Sequence, residues 1–357
     1  MSAPPDPIEQ LYAKGVTDGL PVVPPTRERV AAAVAASGRG GDERVAEVPP
    51  NYGRATVERI AVNAVMAGCR PEYLPVVIAA VEAVCDEAFD LHGVSATTNA
   101  AAPLLIVNGP ARAALGVNCG AGVFGPGHRA NATIGRAVRL VIQNVGGARP
   151  GVITMSTLAH PGYYTYCIGE WEEESPWESL SAEHGFAPGE STVAAFAGEG
   201  PHGVYDHQSR TAAELLTTIA HSLAVIQHHK STHHGDTVVV LSPEHARCIA
   251  ADGWGKAEVR RFLWERLRKP VRDLVPGIDG GEGLPEHVLA KYPAPRTETT
   301  LVAKLRAPDN LVLVVAGGTA GRFSAVVPGW TFPKASRMVI RRIHPAPIPR
   351  IGGESHE

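Results

Sequence analysis

The chain lacks most of the signatures by which a sequence declares its chemistry. No run of eighteen apolar residues occurs, so no segment reads as a membrane-spanning helix. The opening residues MSAPPDPIEQ carry neither a basic n-region nor an apolar h-region, which points to a cytoplasmic protein. Aromatic residues make up 6% of the chain and the net charge is only −3. That balance argues against base-stacking platforms, basic nucleic-acid faces and binding to acidic membranes, so neither nucleic acid nor membrane is an expected partner. Five cysteines, an odd number with no CxxC pair, favour reduced thiols over a disulfide framework. No GxGxxG follows a first strand and no P-loop ends in Gly-Lys-Ser/Thr, so no nucleotide cofactor is expected. GxSxG and HExxH are absent as well, which removes the nucleophile elbow and the helical zinc pair.

What remains is an ordinary apolar fraction of 44% in 357 residues, more than one core usually holds. The 38 glycines and 30 prolines imply many tight, structured connections. Apolar spacing predicts helices at Pro7–Lys14, Arg27–Ala36, Thr56–Ala67, Pro71–Cys85, Asn131–Asn144, Thr211–Lys230, Glu244–Asp252 and Lys256–Arg268. Thr211 and Glu214 are spaced as a capping box. Short β-branched runs predict strands at Leu104–Val107, Val152–Met155, Thr165–Ile168, Thr192–Ala197, Thr237–Leu241 and Leu311–Val315.

Two pairs of segments echo each other. Leu104–Gly116 and Val238–Gly253 both read as an apolar strand, a proline turn and an Ala-Arg step on a helix, and Val193–Gly203 resembles Leu311–Gly321. The expected fold is therefore α/β: two related α/β halves with mixed or mostly parallel sheets and a site at the loops between them. Residues 1–100 form an N-terminal helical segment on the first half, 101–207 the first half and 208–357 the second, with the boundary near His207–Thr211.

Four constellations are candidates for chemistry. Cys119 heads a loop with Gly120, Gly122, Gly125 and Gly127, followed by His128, Arg129 and a helix start. Glycines allow backbone N–H groups to approach a ligand, and a helix N-terminus favours an anion. Cys119 reads either as a nucleophile or as a small buried residue. The stretch from His160 to Trp177 gathers His160, Cys167, Glu170, Glu172, Glu173 and Glu174, suited to acid–base work, to a metal or to an acidic surface loop. In Gly198–His207, His202, Asp206 and His207 follow a strand end, where they read either as ligand or base groups with Asp206 orienting a His, or as a capped turn. The cluster His221, His228, His229, His233 and His234 reads as an exposed helix exit rather than a metal site.

With these residues in view, the chain resembles the UGSC group, a family of bacterial proteins named for a small companion protein and often called thiol–disulfide oxidoreductases. DGLPVVPPT at Asp18, ATVERIAVNAVMAGC at Ala55, ATTNAAAPLLIVNGP at Ala96, GVFGPGHRANATIGRA at Gly122, ESPWE at Glu174 and VVAGG at Val314 carry the likeness. It implies a small partner protein and thiol-based redox work as an alternative activity. Related sequences often have serine in place of Cys119, which shifts weight to Cys167 and to the glycine loop itself.

The leading expectation is an enzyme that cleaves or adds across a carbon–heteroatom bond (C–N, C–S or C–O) of a small polar or anionic substrate, a hydrolase or lyase. Cys167, Glu170, His202 and Cys119 are the candidate catalytic residues. Thr97, Thr98, Gly125, Arg129 and Asn131 are the candidate substrate ligands, and His160 and His207 the candidate ligands of a divalent metal ion. A non-catalytic ligand-binding subunit is the third reading, and a homo-oligomer is expected.

Overall fold

The computed structural model describes residues 6–232, 235–330 and 336–344. In chain order its strands are β1 (Arg44–Val48), β2 (Gly53–Thr56), β3 (Ala102–Asn108), β4 (Cys167–Gly169), β5 (Thr192–Gly198), β6 (His202–Tyr205), β7 (Thr237–Leu241), β8 (Arg268–Pro270), β9 (Leu301–Ala303), β10 (Leu311–Val315), β11 (Phe323–Pro328) and β12 (Val339–Arg342). Its helices are α1 (Pro7–Ala13), α2 (Arg27–Ser37), α3 (Val57–Ala67), α4 (Leu74–Val84), α5 (Leu91–Ala96), α6 (Pro110–Ala114), α7 (Arg129–Asn144), α8 (Leu180–Glu183), α9 (Ala212–Val225), α10 (Pro243–Ala251), α11 (Lys256–Arg266) and α12 (Glu286–Leu289).

The protein is α/β, with two mixed four-stranded sheets in the orders β12-β5-β3-β4 and β10-β7-β11-β6. Every residue of β3, β5, β7 and β10 is buried, so these strands read as unbroken apolar runs rather than as alternation. Strand pleating sends alternate side chains to opposite faces. Leu104, Ile106, Ala194 and Phe196 of the first sheet meet Val238, Val240, Val312, Val314 and Val327 of the second in one core. On the outer face of the first sheet, Leu105, Val107, Val193 and Ala195 pack on α3, α4 and α7 through Ile60, Val77, Ile134 and Val138. On the outer face of the second, Val239, Leu241, Leu313 and Val315 pack on α9, α10 and α11 through Leu216, Ile219, Ile249 and Val259. The result is four layers: helix, sheet, sheet, helix.

The two sheets share one pairing pattern. In the first, β3 runs parallel to β4 and antiparallel to β5, which is antiparallel to β12. In the second, β7 runs parallel to β10 and antiparallel to β11, which is antiparallel to β6. The segments β3–α6 and β7–α10 thus hold the same place in their sheets. The other echo does not: β5 is the antiparallel neighbour of β3, whereas β10 is the parallel neighbour of β7. The sheets also exchange outer strands across residue 207, because β6 joins the second sheet and β12 joins the first.

Three elements differ from their sequence reading. Val152–Met155 is a turn with Val152 and Met155 exposed, because Arg149 O caps the N–H groups of Val152, Ile153 and Thr154; Thr154 makes a single bridge to Pro150, and among the described residues no strand pairs with the segment. The strand expected at Thr165–Ile168 is shifted to Cys167–Gly169, with Tyr164 ending a helical turn. The helix expected to reach Lys230 stops at Val225, where Ile226 turns to extended ψ and the buried Lys230 ammonium donates to Val275 O and Gly280 O. The Thr211–Glu214 capping box is present at the other end of that helix. Among the described residues, no helix is long and apolar enough to cross a membrane.

Candidate functional site

The four clustered carboxylates form the junction between the sheets at the carboxyl ends of their parallel strands, and each is paired, Glu170 and Glu172 sharing Asn108. Glu170 Oε2 accepts from Asn108 Nδ2 at 2.6 Å and from the Leu180 N–H at 2.8 Å, while Lys256 Nζ stands 3.9 Å from Oε1. Glu172 accepts from the Gly109 N–H at 2.6 Å and from Asn108 Nδ2 at 3.0 Å. Glu173 pairs with Arg112, and Glu174 with Arg247 at 2.6 Å. These two arginines are the ones in the echoed Ala-Arg steps. Like charges this close are tolerated because each meets a donor or a cation. The Trp171 N–H donates to Val315 O, and the Gly317 N–H to Cys119 O, tying the strand ends of both sheets together.

Glu170 is fully buried, and burial raises its carboxyl above the ordinary range against the pull of Lys256 and its hydrogen bonds. A folded acid with a raised pKa binds its proton more tightly than the unfolded chain does. Its contribution to stability is therefore greatest below the unfolded pKa and is lost as pH rises through the folded value. Urea denaturation of the parent and of Glu170→Gln from about pH 5 to about pH 8 should show the parent losing ground to the variant as pH increases. A pH-independent difference would contradict the raised carboxyl.

The glycine loop is anchored by Asn131. Its Oδ1 accepts from the Asn118 N–H at 2.7 Å, and its Nδ2 donates to Asn118 O at 2.9 Å and to Cys167 O at 3.1 Å. Both amide hydrogens and the carbonyl are engaged, so the side chain acts as a rung between the loop and the open edge of β4. Arg129 is turned away from the loop: Nε and Nη2 both donate to Gly68 O, at 3.1 and 2.9 Å, at the end of α3. Cys119 lies behind the loop, 8% exposed, with Arg112 Nη1 donating to its Sγ at 3.1 Å. Burial pushes this thiol up, and Arg112 offsets only part of the rise.

A cleft of about 570 Å³ opens on the other side of the loop, between Val123–Pro126, the start of α7, and residues 160–167. It brings together four expected site residues: Gly125, Asn131, His160 and Cys167. His128, the N-cap of α7, makes no side-chain cap, so the N–H groups of the first turn are left without one. The Cys167 thiol is 6% exposed, and burial pushes it up to about 12. On the far wall, the Gly162 N–H donates to His160 Nδ1 at 3.1 Å. The ring hydrogen therefore sits on Nε2, directed at Gly198 O 3.3 Å away. Burial lowers the His160 pKa and keeps the ring neutral.

The other expected residues lie elsewhere. Glu170 points away from the cleft into the junction. Thr97 Oγ1 accepts from the Asn99 N–H and Thr98 O from the Thr157 N–H, and neither threonine lines the cleft. His202 is exposed on β6, at the opposite edge of the second sheet from β10, beside which Glu170 lies. His207 stacks near Tyr205 and Phe323, with ring centroids 5.6 and 5.5 Å away. Using His160 as a metal ligand would break one of its two ring hydrogen bonds, and among the described residues no three His, Cys, Asp or Glu side chains gather around a cation position. In the histidine cluster, His228 Nδ1 accepts from the Lys230 N–H, and His233 and His234 lie outside the described residues. Arg112, Asn108 and Ser181 are additions from the structure. The signal for Arg112 is the Ala-Arg step shared by the two echoed segments; Asn108 and Ser181 have none. Compared with protein-family models, curated proteins and solved structures, the chain matches none.

Proposed function

We propose that the protein is a small-molecule enzyme that eliminates or adds across a C–N, C–S or C–O bond of a small polar or anionic substrate held in the cleft. The observation that supports this most is the meeting, on one side of the cleft, of Asn131 and Ala132 from the uncapped start of α7 with a free thiol, Cys167. The Asn131 N–H, the first-turn donor of α7 at the cleft, receives the carbonyl or carboxylate oxygen of the substrate. Val123, Phe124, Pro126 and Pro161 hold its apolar part. A thiol near 12 is protonated at neutral pH, so Cys167 suits proton donation to a departing heteroatom rather than attack as a thiolate. This ranks lyase chemistry above thioester hydrolysis, and it also weighs against the redox reading for Cys167 and Cys119. The neutral His160, whose lone pair on Nδ1 is held by the Gly162 N–H of its own turn, is the complementary base once that bond is given up.

The test combines labelling with turnover. Iodoacetamide should modify Cys167 in the folded protein at least about a thousandfold more slowly than a free thiol. A panel of small amino, hydroxy and thio carboxylates is then screened for unsaturated products. Cys167→Ala should lower kcat by about a hundredfold or more with little change in KM, and Gly125→Val should raise KM. Full turnover in Cys167→Ala would sink the reading, and ligand binding without turnover of any panel member would favour the non-catalytic subunit.

A further inference from the structure

We infer that the cleft selects a monocarboxylate with an uncharged, ring-bearing body and turns away amino acids and dicarboxylates. This deepens the reading of the cleft as a substrate site, and it rests on that reading for the position of the carboxylate.

The selection follows from an account of charge and of free polar groups. Among the described residues that line the cleft there is no Asp, Glu, Lys or Arg. Burial holds the His160 ring, the Tyr166 hydroxyl and the Cys167 thiol in their neutral forms. Charged neighbours are engaged outside it. Glu199, next to the rim residue Gly200, accepts from Asn99 Nδ2 at 2.9 Å and from Gln227 Nε2. Arg139 donates to Tyr163 O and lies 4.9 Å from the centre of the Tyr163 ring. Arg129 holds Gly68 O.

The donors of the polar side chains on the walls are spent as well. Both hydrogens of the Asn131 carboxamide go to the carbonyls of Asn118 and Cys167. Thr165 Oγ1 donates to Asn131 O at 3.1 Å, and the Tyr166 hydroxyl donates to Glu199 O at 3.0 Å. The His160 Nε2 hydrogen is directed at Gly198 O. Of the wall side chains, the more than nine-tenths buried Cys167 thiol is the one that keeps a free donor, beside the backbone N–H of Asn131. One oxygen-bearing head is therefore met. A second charge, ammonium or carboxylate, is desolvated with no partner, and that is costly.

The body of the ligand meets rings and prolines. The Tyr166 ring centroid stands 5.9 Å from that of Phe124 and 5.4 Å from that of His160. Pro126, Pro161 and Pro201 complete the apolar surface. Tilted and edge-on rings accept a further ring better than a short alkyl chain. At about 570 Å³ the cleft has the size of a pocket for a larger ligand, and propanoate leaves most of it unfilled. Within the proposed chemistry, hydroxy and thio acids are thus favoured over amino acids.

Calorimetric titration of the full chain near neutral pH with 3-phenylpropanoate, propanoate, L-phenylalanine and succinate tests the selection. 3-Phenylpropanoate is expected to bind saturably, and the other three at least about tenfold more weakly. Phe124→Ala removes a ring and Ala132→Leu fills space at a half-buried helix position; each should weaken 3-phenylpropanoate by about tenfold. Leu158→Ala, outside the cleft, should leave it unchanged. Because binding is read without turnover, the two readings fail separately. Saturable 3-phenylpropanoate binding with no panel member turned over sinks the lyase reading and upholds the selection. The selection is overturned if 3-phenylpropanoate does not bind, if succinate, L-phenylalanine or propanoate binds as tightly, or if both cleft variants bind like the parent, whatever turnover shows.

Discussion

Replacing Asn131 by alanine should destabilise the protein by about 3 kcal/mol and free the head of the glycine loop from β4. The carboxamide satisfies the Asn118 N–H and the carbonyls of Asn118 and Cys167, and the last of these bonds is fully buried. Alanine supplies none of these partners, and removing one side of a buried hydrogen bond costs more than the bond contributes. Aspartate keeps the acceptor for the Asn118 N–H but brings a second acceptor toward two carbonyl oxygens, so Asn131→Asp should be at least as damaging. Chemical denaturation distinguishes this anchoring role from the substrate-binding role that the sequence suggests. A substrate ligand would lose binding with stability nearly intact. An anchor loses stability first, and iodoacetamide then reaches Cys167 and Cys119 faster. Unchanged stability in Asn131→Ala would remove the anchoring role.

Phe196→Ala should be the most damaging single truncation in the centre of the molecule, at about 3–5 kcal/mol. Phe196 projects from β5 into the core between the two sheets and is among the largest fully buried side chains. Its ring also meets the backbone of the neighbouring sheet: a Cβ built on Gly329 would lie 3.1 Å from Phe196 Cζ. Both sheets end on this ring, so its removal opens a void that neither can close alone. Leu158→Ala makes the contrast, because Leu158 is 89% exposed and should change stability by less than about 0.5 kcal/mol. Thermal and urea unfolding of the two variants decides the matter. Comparable losses would mean that the sheets do not share one core.

The legible part of the fold was the part written in local pattern. Helices α3, α7 and α11 and strands β3, β5, β7 and β10 follow from apolar spacing and β-branched runs; the strands are buried throughout, and α11 buries only the face of Val259 and Leu263. Seven strands escaped, β1, β2, β6, β8, β9, β11 and β12, and in the two large sheets β6, β11 and β12 owe their existence to a neighbour. HGVY and VIRR carry no strong strand signal alone and pair only because a sheet edge is already present. Val152–Met155 failed the other way, with β-branched residues but no edge to join.

The site divides along the same line. Gly125, Asn131, His160 and Cys167 are read in the sequence as separate candidates, and folding brings them to one cleft. Their roles were not legible. Nothing in the sequence around Asn131 says that its amide bridges two backbone segments, or that Arg129 reaches back to Gly68. The acidic run likewise could not reveal its partners, since Arg112 and Arg247 are distant in the chain and come together only through the sheets.

By itself, then, the sequence determined the α/β class, the absence of long apolar spans and the presence of a glycine loop before a helix, because these depend on composition and on contacts a few residues apart. Tertiary structure alone decided that the sheets exchange outer strands and stack face to face. It alone decided that Glu170 is buried in a junction, that Asn131 anchors, and that the Cys167 thiol rather than Cys119 faces the cleft. Each of these rests on desolvation and on hydrogen bonds between residues far apart in the chain, which no local pattern records.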